Sequence, residues 1–104
     1  MTIIKTISEK IEDELHDAEE YVELAMQWKG KYPDTAELFY NLSAEEMEHM
    51  ERLHEAVQSL IEEHRAQHGE PPKEMLVLYE FLHDKHKEKA TEIKVKQGMY
   101  QMQE

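Results

Sequence analysis

The sequence predicts an all-α protein built from long amphipathic helices. Charged residues make up 35% of the 104 positions, while glycine and proline contribute only three each. That balance of charge with few chain breakers suits helix better than strand or disorder. All but one of the breakers gather in two places, Gly30 with Pro33 and Gly69 with Pro71 and Pro72. Between them, apolar residues recur at three- and four-residue spacing, the period of a helix with one buried face.

The first helix is expected over residues 3–29, with its stripe through Ile4, Ile7, Ile11, Leu15, Ala18, Val22 and Ala25. Gly30 ends it, and Pro33 follows as expected just past a stop. Asp34 and Glu37 then read as a capping box opening a second helix over 34–68, in which an acidic side chain three residues on closes the first turn. Its stripe is Leu38, Leu42, Leu53, Val57, Leu60 and Ile61, with Met50 on the flank. Gly69 terminates it, and Pro71–Pro72 introduce a third helix over 73–101, proline being suited to a helix start. The third stripe is Met75, Tyr79, Leu82, Ala90, Ile93, Gln97 and Tyr100. Residues 1–104 read as one small domain without an internal repeat: an antiparallel helical hairpin plus a third helix. The second helix would be ~50 Å long at ~1.5 Å per residue, more than a bundle of three short partners requires. A homo-oligomer of at least two chains is therefore expected.

Charge and composition exclude several function classes. The 24 acidic and 12 basic side chains leave a net charge of −12, which repels nucleic-acid phosphates and anionic membrane surfaces. Neither is an expected partner. No cysteine is present, which removes disulfides, thiolate metal sites and cysteine nucleophiles. Lys5, Ser8 and Glu9 interrupt Ile3, Ile4 and Ile7 near the start, so neither a signal peptide nor a membrane span is expected and the default location is cytoplasmic.

The segment Glu45–His54, EEMEHMERLH, carries Glu-x-x-His twice, as Glu46–His49 and Glu51–His54. In a chain with seven histidines and this many glutamates, the motif arises easily by chance, so helical phase has to separate the copies. Glu46 lies within about 40° of the axis of the second stripe and His49 within about 20° on its other side. Glu51 falls on the opposite face and His54 well to one side, which marks them as solvated surface. Glu14 interrupts the first stripe close to its centre, while Asp13, His16 and Asp17 flank it or point away. A core-facing carboxylate is costly unless it is paired or coordinated. Glu14, Glu46 and His49 together therefore point to a metal site. Other readings stay open. Ser43 and Glu46 fit a capping box if the helix restarts near Asn41, Glu14 would also suit a lysine partner, and His49 would suit a hydrogen-bonded core histidine.

Glu14, then Tyr21 and Ala25, then Glu46-Met-Glu-His49 resembles the first half of a ferritin-like di-iron protein, nearest the rubrerythrin and encapsulated-ferritin branches. The likeness covers residues 11–57. In that superfamily a single Glu on one helix and Glu-x-x-His on its partner form half of a di-iron centre in a four-helix bundle. The resemblance implies that Glu14 is a terminal ligand, that Glu46 bridges the two metals and that His49 completes the shell, with Tyr21 beside it. Tyr21 is equally well read as a half-buried aromatic. Only one such helix pair is present, and the cysteines of a rubredoxin-type relay are missing. A homodimer forming the ferritin-like bundle repairs the first departure, placing two ions per dimer between two chains. His83 and His86 would complete the site within one chain, build a second site at an oligomer contact, or sit as ordinary interface histidines.

Carboxylate-rich ligation with two imidazoles suits iron, or manganese, better than zinc. The implied activity is that of an oxidoreductase, a ferroxidase or a reducer of dioxygen or peroxide. Half-length relatives rely on an encapsulating compartment to store mineral, and the tail GMYQMQE carries no recognisable encapsulation tag, so storage by this chain alone is not expected. The alternative is a non-catalytic helical oligomerisation or scaffold protein that keeps the frame, with structural metal or none.

Overall fold

The computed structural model of the chain describes residues 2–104. Among them the fold is all-helical, with α1 at Thr2–Trp28, α2 at Pro33–His68 and α3 at Lys73–Met102. These boundaries lie within a residue or so of the sequence reading, but two caps differ from it. Lys31 and Tyr32 both donate backbone N–H bonds to the Trp28 carbonyl, at 3.2 and 2.8 Å, and so close the first turn. Gly30 ends α1 without a left-handed backbone; among the described residues the positive-φ glycine is Gly69, at 81°. The expected Asp34–Glu37 capping box does not form: Tyr32 is the N-cap and makes no side-chain cap bond, while Pro33 fills the first helical turn. Proline's fixed φ and missing N–H suit that place, and Asp34 still sits in the first turn, where its charge meets the positive helix end. Gly69 behaves as read, its N–H donating to the Arg65 carbonyl at 3.1 Å.

The molecule is a rod of 56 × 18 × 17 Å. α1 and α2 form an antiparallel hairpin, and α3 lies along one flank of it. The core has two segments. Ile11, Leu15, Ala18, Met47, Ala90 and Ile93 form one, and Val22, Ala25, Ala36 and Tyr100 form the other. The fully buried alanines Ala18, Ala25 and Ala36 leave room for close helix approach. Between the segments lies Ser43, whose hydroxyl donates to the Ala18 carbonyl at 2.7 Å and accepts from Gln97 Nε2 at 3.0 Å. One buried hydroxyl thus joins three helices and keeps its polar group satisfied. It also removes the reading in which Ser43 caps a restarted helix, since α2 runs unbroken through this point.

α3 is held along α1 by ion pairs and at its end by a clamp. Glu19 meets Lys89 at 2.9 Å and Lys96 at 3.2 Å, and Lys96 also reaches Glu23 at 2.7 Å. Lys29 Nζ donates to the carbonyls of Tyr100 and Gln103, both at 2.6 Å. A cation there satisfies the carbonyls that the last turn of a helix leaves unpaired.

The position of the core corrects the stripe expected on α2. Its buried residues are Ala36, Ser43, Met47, Val57 and Ile61, whereas Leu38 is 54% exposed and Leu42 and Leu60 are only half-buried. α3 covers one flank of the hairpin and draws the core toward it; the flank carrying Leu38, Leu42 and Leu60 is left open. The start of α3 is also loosely covered, with Val77, Leu78 and Phe81 exposed. No helix among the described residues is long and apolar enough to cross a membrane.

Candidate metal centre

On α1, Glu12 and Glu19 face α3, meeting His86 and the two lysines. Glu14 follows Glu12 by about 200° of helix turn, so it projects from the other flank. There it meets α2: His49 Nδ1 lies 3.3 Å from Glu14 Oε2 and 3.9 Å from Glu46 Oε2. One ligand atom from each of Glu14, Glu46 and His49 fits within 4.8 Å of the others. The three residues singled out by helical phase are therefore brought together.

They sit at the rim of the core rather than inside it, which corrects the expectation of core-facing groups. The side chains of Glu14 and Glu46 are 23% and 19% exposed and that of His49 is 50% exposed. The physical reason is the open flank, since among the described residues the Leu38–Leu42–Leu60 side of α2 is only partly covered. Among the described residues Glu14 takes no lysine partner; that role belongs to Glu19, whose carboxyl is held below its usual range chiefly by the Lys89 hydrogen bond.

The electrostatics of the two acidic positions are opposite. The Glu46 carboxyl is pushed up to about 7, first by a hydrogen bond shared with Glu14, then by burial and by the Glu14 charge. Two carboxyl groups this close resist joint ionisation, and a proton between them relieves the repulsion. A divalent cation would relieve it more completely, and two carboxylate oxygens with one imidazole nitrogen form a donor set that hard or borderline cations accept. The residues present fit a metal, but as a partial shell of three donor groups.

Tyr21 stands two turns beyond Glu14 and packs its ring on Phe39, with centroids 6.3 Å apart, in keeping with the half-buried aromatic reading. His83 and His86 do not join this centre. They lie on the opposite flank, where His86 is buried with Nε2 3.5 Å from Glu12 Oε1. His83 stacks on His54 of α2, centroids 4.3 Å apart and planes within 6°. That overturns the reading of His54 as solvated surface. Sequence phase missed it because the α2 stripe was centred on the open flank. The signal available was spacing: His54 lies seven residues from both Met47 and Ile61, which are buried, and so shares their face. No protein-family model, curated protein or solved structure matches the chain.

Proposed function

We propose that the chain is a di-iron carboxylate protein with ferroxidase or dioxygen- and peroxide-reducing activity, its site completed by a second copy of itself. The observation that carries this reading is the convergence of Glu14, Glu46 and His49 on the flank that the chain leaves open. Two copies facing each other there would bring four carboxylates and two imidazoles together, the donor count of a carboxylate-bridged pair of ions in a four-helix bundle. Leu38, Leu42 and Leu60 would then be covered by the partner, each contributing less than the roughly 2 kcal/mol of a fully transferred leucine, because Leu38 is 54% exposed and the other two are already half-buried. Iron(II) bound by such a set supplies electrons to dioxygen or peroxide. The chain's own groups would hold the ions through the side chains of Glu14, Glu46 and His49, with Glu46 in the bridging role and Glu14 and His49 in the terminal roles that the resemblance implies. Manganese satisfies the same donors.

The shared proton favours a second reading. With Glu46 protonated, the Glu14–Glu46–His49 cluster is satisfied without metal, as in a helical oligomerisation or scaffold protein. Anaerobic iron(II) titration followed by exposure to air separates the two. The di-iron reading expects about one iron per chain and rising near-ultraviolet absorbance. Both should vanish in Glu46→Ala and His49→Ala and persist in Glu51→Ala and His54→Ala. Equal loss in both pairs, or no iron bound, contradicts it.

A further inference from the structure

The groove between α2 and α3, on the flank opposite the carboxylate centre, gathers three of the seven histidines. It has a volume of about 490 Å³ and is lined by His54, His83 and His86, with Glu51 and Glu55 on one side and Lys87 and Lys94 on the other. His83 and His86 stand one turn apart on α3, and His54 reaches across from α2 to stack on His83 at 4.3 Å. Among the described residues neither His54 nor His83 hydrogen-bonds to protein through its ring. We propose that this groove is a second metal site, in which His54, His83 and His86 present an all-imidazole donor set to a borderline divalent cation such as Zn²⁺.

Three properties of the groove support the assignment. The first is the donor type. Three imidazoles with an open fourth position, taken by water, are an established tetrahedral ligand set for zinc. The second is orientation: Glu12 Oε1 stands 3.5 Å from His86 Nε2, and donation from that nitrogen to the carboxylate would leave Nδ1 as the lone-pair nitrogen. The third is charge. The two carboxylates and two ammonium groups lining the groove cancel, so hard cations are not drawn in by charge and nitrogen donors decide the selectivity. Burial also holds His54 and His83 below the usual imidazole range, so both rings are neutral near neutral pH and free to ligate. Among the described residues only Glu14, Glu46 and His49 bring three donor atoms within 4.8 Å of one another, so His54, His83 and His86 would have to turn their rings about the side-chain torsions to converge on one ion. A bound ion would tie α2 to α3 just beyond the loosely covered start of α3.

The test uses the full chain with the carboxylate centre disabled by Glu46→Gln and His49→Gln. Chelator-treated protein is titrated with Co²⁺, followed by its visible absorption, and then with Zn²⁺ by calorimetry. The expected result is one tetrahedral Co²⁺ per chain, displaced by Zn²⁺. His83→Gln, and separately His54→Gln, should each lower Zn²⁺ affinity by roughly 100-fold with helical circular dichroism unchanged. In the otherwise unaltered chain, His83→Gln should leave iron(II) uptake intact, which keeps this site distinct from the other. No saturable Co²⁺ or Zn²⁺ binding in the disabled background, or binding indifferent to both histidine substitutions, would overturn the proposal.

Discussion

The two copies of Glu-x-x-His on α2 are five residues apart and meet different neighbours. Glu46–His49 looks onto the open flank, where α1 contributes the carboxylate of Glu14. Glu51–His54 is turned by about 140° onto the α3 flank, where His54 meets the ring of His83. One motif thus gains oxygen donors and the other nitrogen donors. A short motif supplies two side chains at helical spacing; the helix packed against it decides the chemistry.

Disabling one flank while sparing the other gives the largest expected effect. Glu46→Ala with His49→Ala should lower iron(II) affinity by at least about 100-fold, as removal of direct ligands exceeds the loss usual for the groups behind them. Glu51→Ala should leave it unchanged by the same titration.

Stability should divide along the same line. Ile93 is fully buried between α3 and the hairpin, and Ile93→Ala should cost about 2–5 kcal/mol in urea unfolding. Leu38 on the open flank is 54% exposed. Leu38→Ser should cost less than about 1 kcal/mol in a separated chain, yet shift the sedimentation-velocity distribution toward smaller species if that flank is where copies meet.

A smaller effect is expected from pH. Because Glu46 is raised to about 7 from an ordinary 4.5, the native chain binds that proton more tightly than the unfolded one. Its contribution is fully present below about pH 4.5 and lost as pH rises through about 7. Glu46→Gln should therefore stabilise the metal-free protein at pH 8 by on the order of 2 kcal/mol, measured by thermal unfolding, while abolishing metal binding. His54 and His83 act in the other direction. Their lowered values mean that stability is lost as pH falls below about 6.5, where the unfolded histidines take up protons first. The smallest effect belongs to Lys96→Met, about 1 kcal/mol or less, because that lysine's ion pairs are partly solvated and screened.

The helices were legible because their ends are written locally, in Gly69 and the prolines, and their periods in runs of aliphatic residues. The cluster was legible because Glu14, Glu46 and His49 each stand on or near the stripe their helix presents. Which flank α3 would occupy was not legible. α3 is apolar on more than one face, with Ile93 and Ala90 inward and Val77, Phe81, Val95 and Met99 outward, so its pattern does not choose an orientation. That choice depends on long-range pairs such as Glu19 with Lys89 and Ser43 with Gln97. It decided that His54 would be covered and Leu38 left open.

Metal content and solution mass, determined together on the untagged protein purified after growth with iron, bear most directly on the shared centre. The expected result is about one iron per 12.4 kDa chain in a species of at least twice that mass, with both iron and its air-dependent absorbance lost in the Glu46→Ala, His49→Ala double variant. A metal-free chain that takes up no iron(II), or iron retained unchanged in that variant, would contradict it.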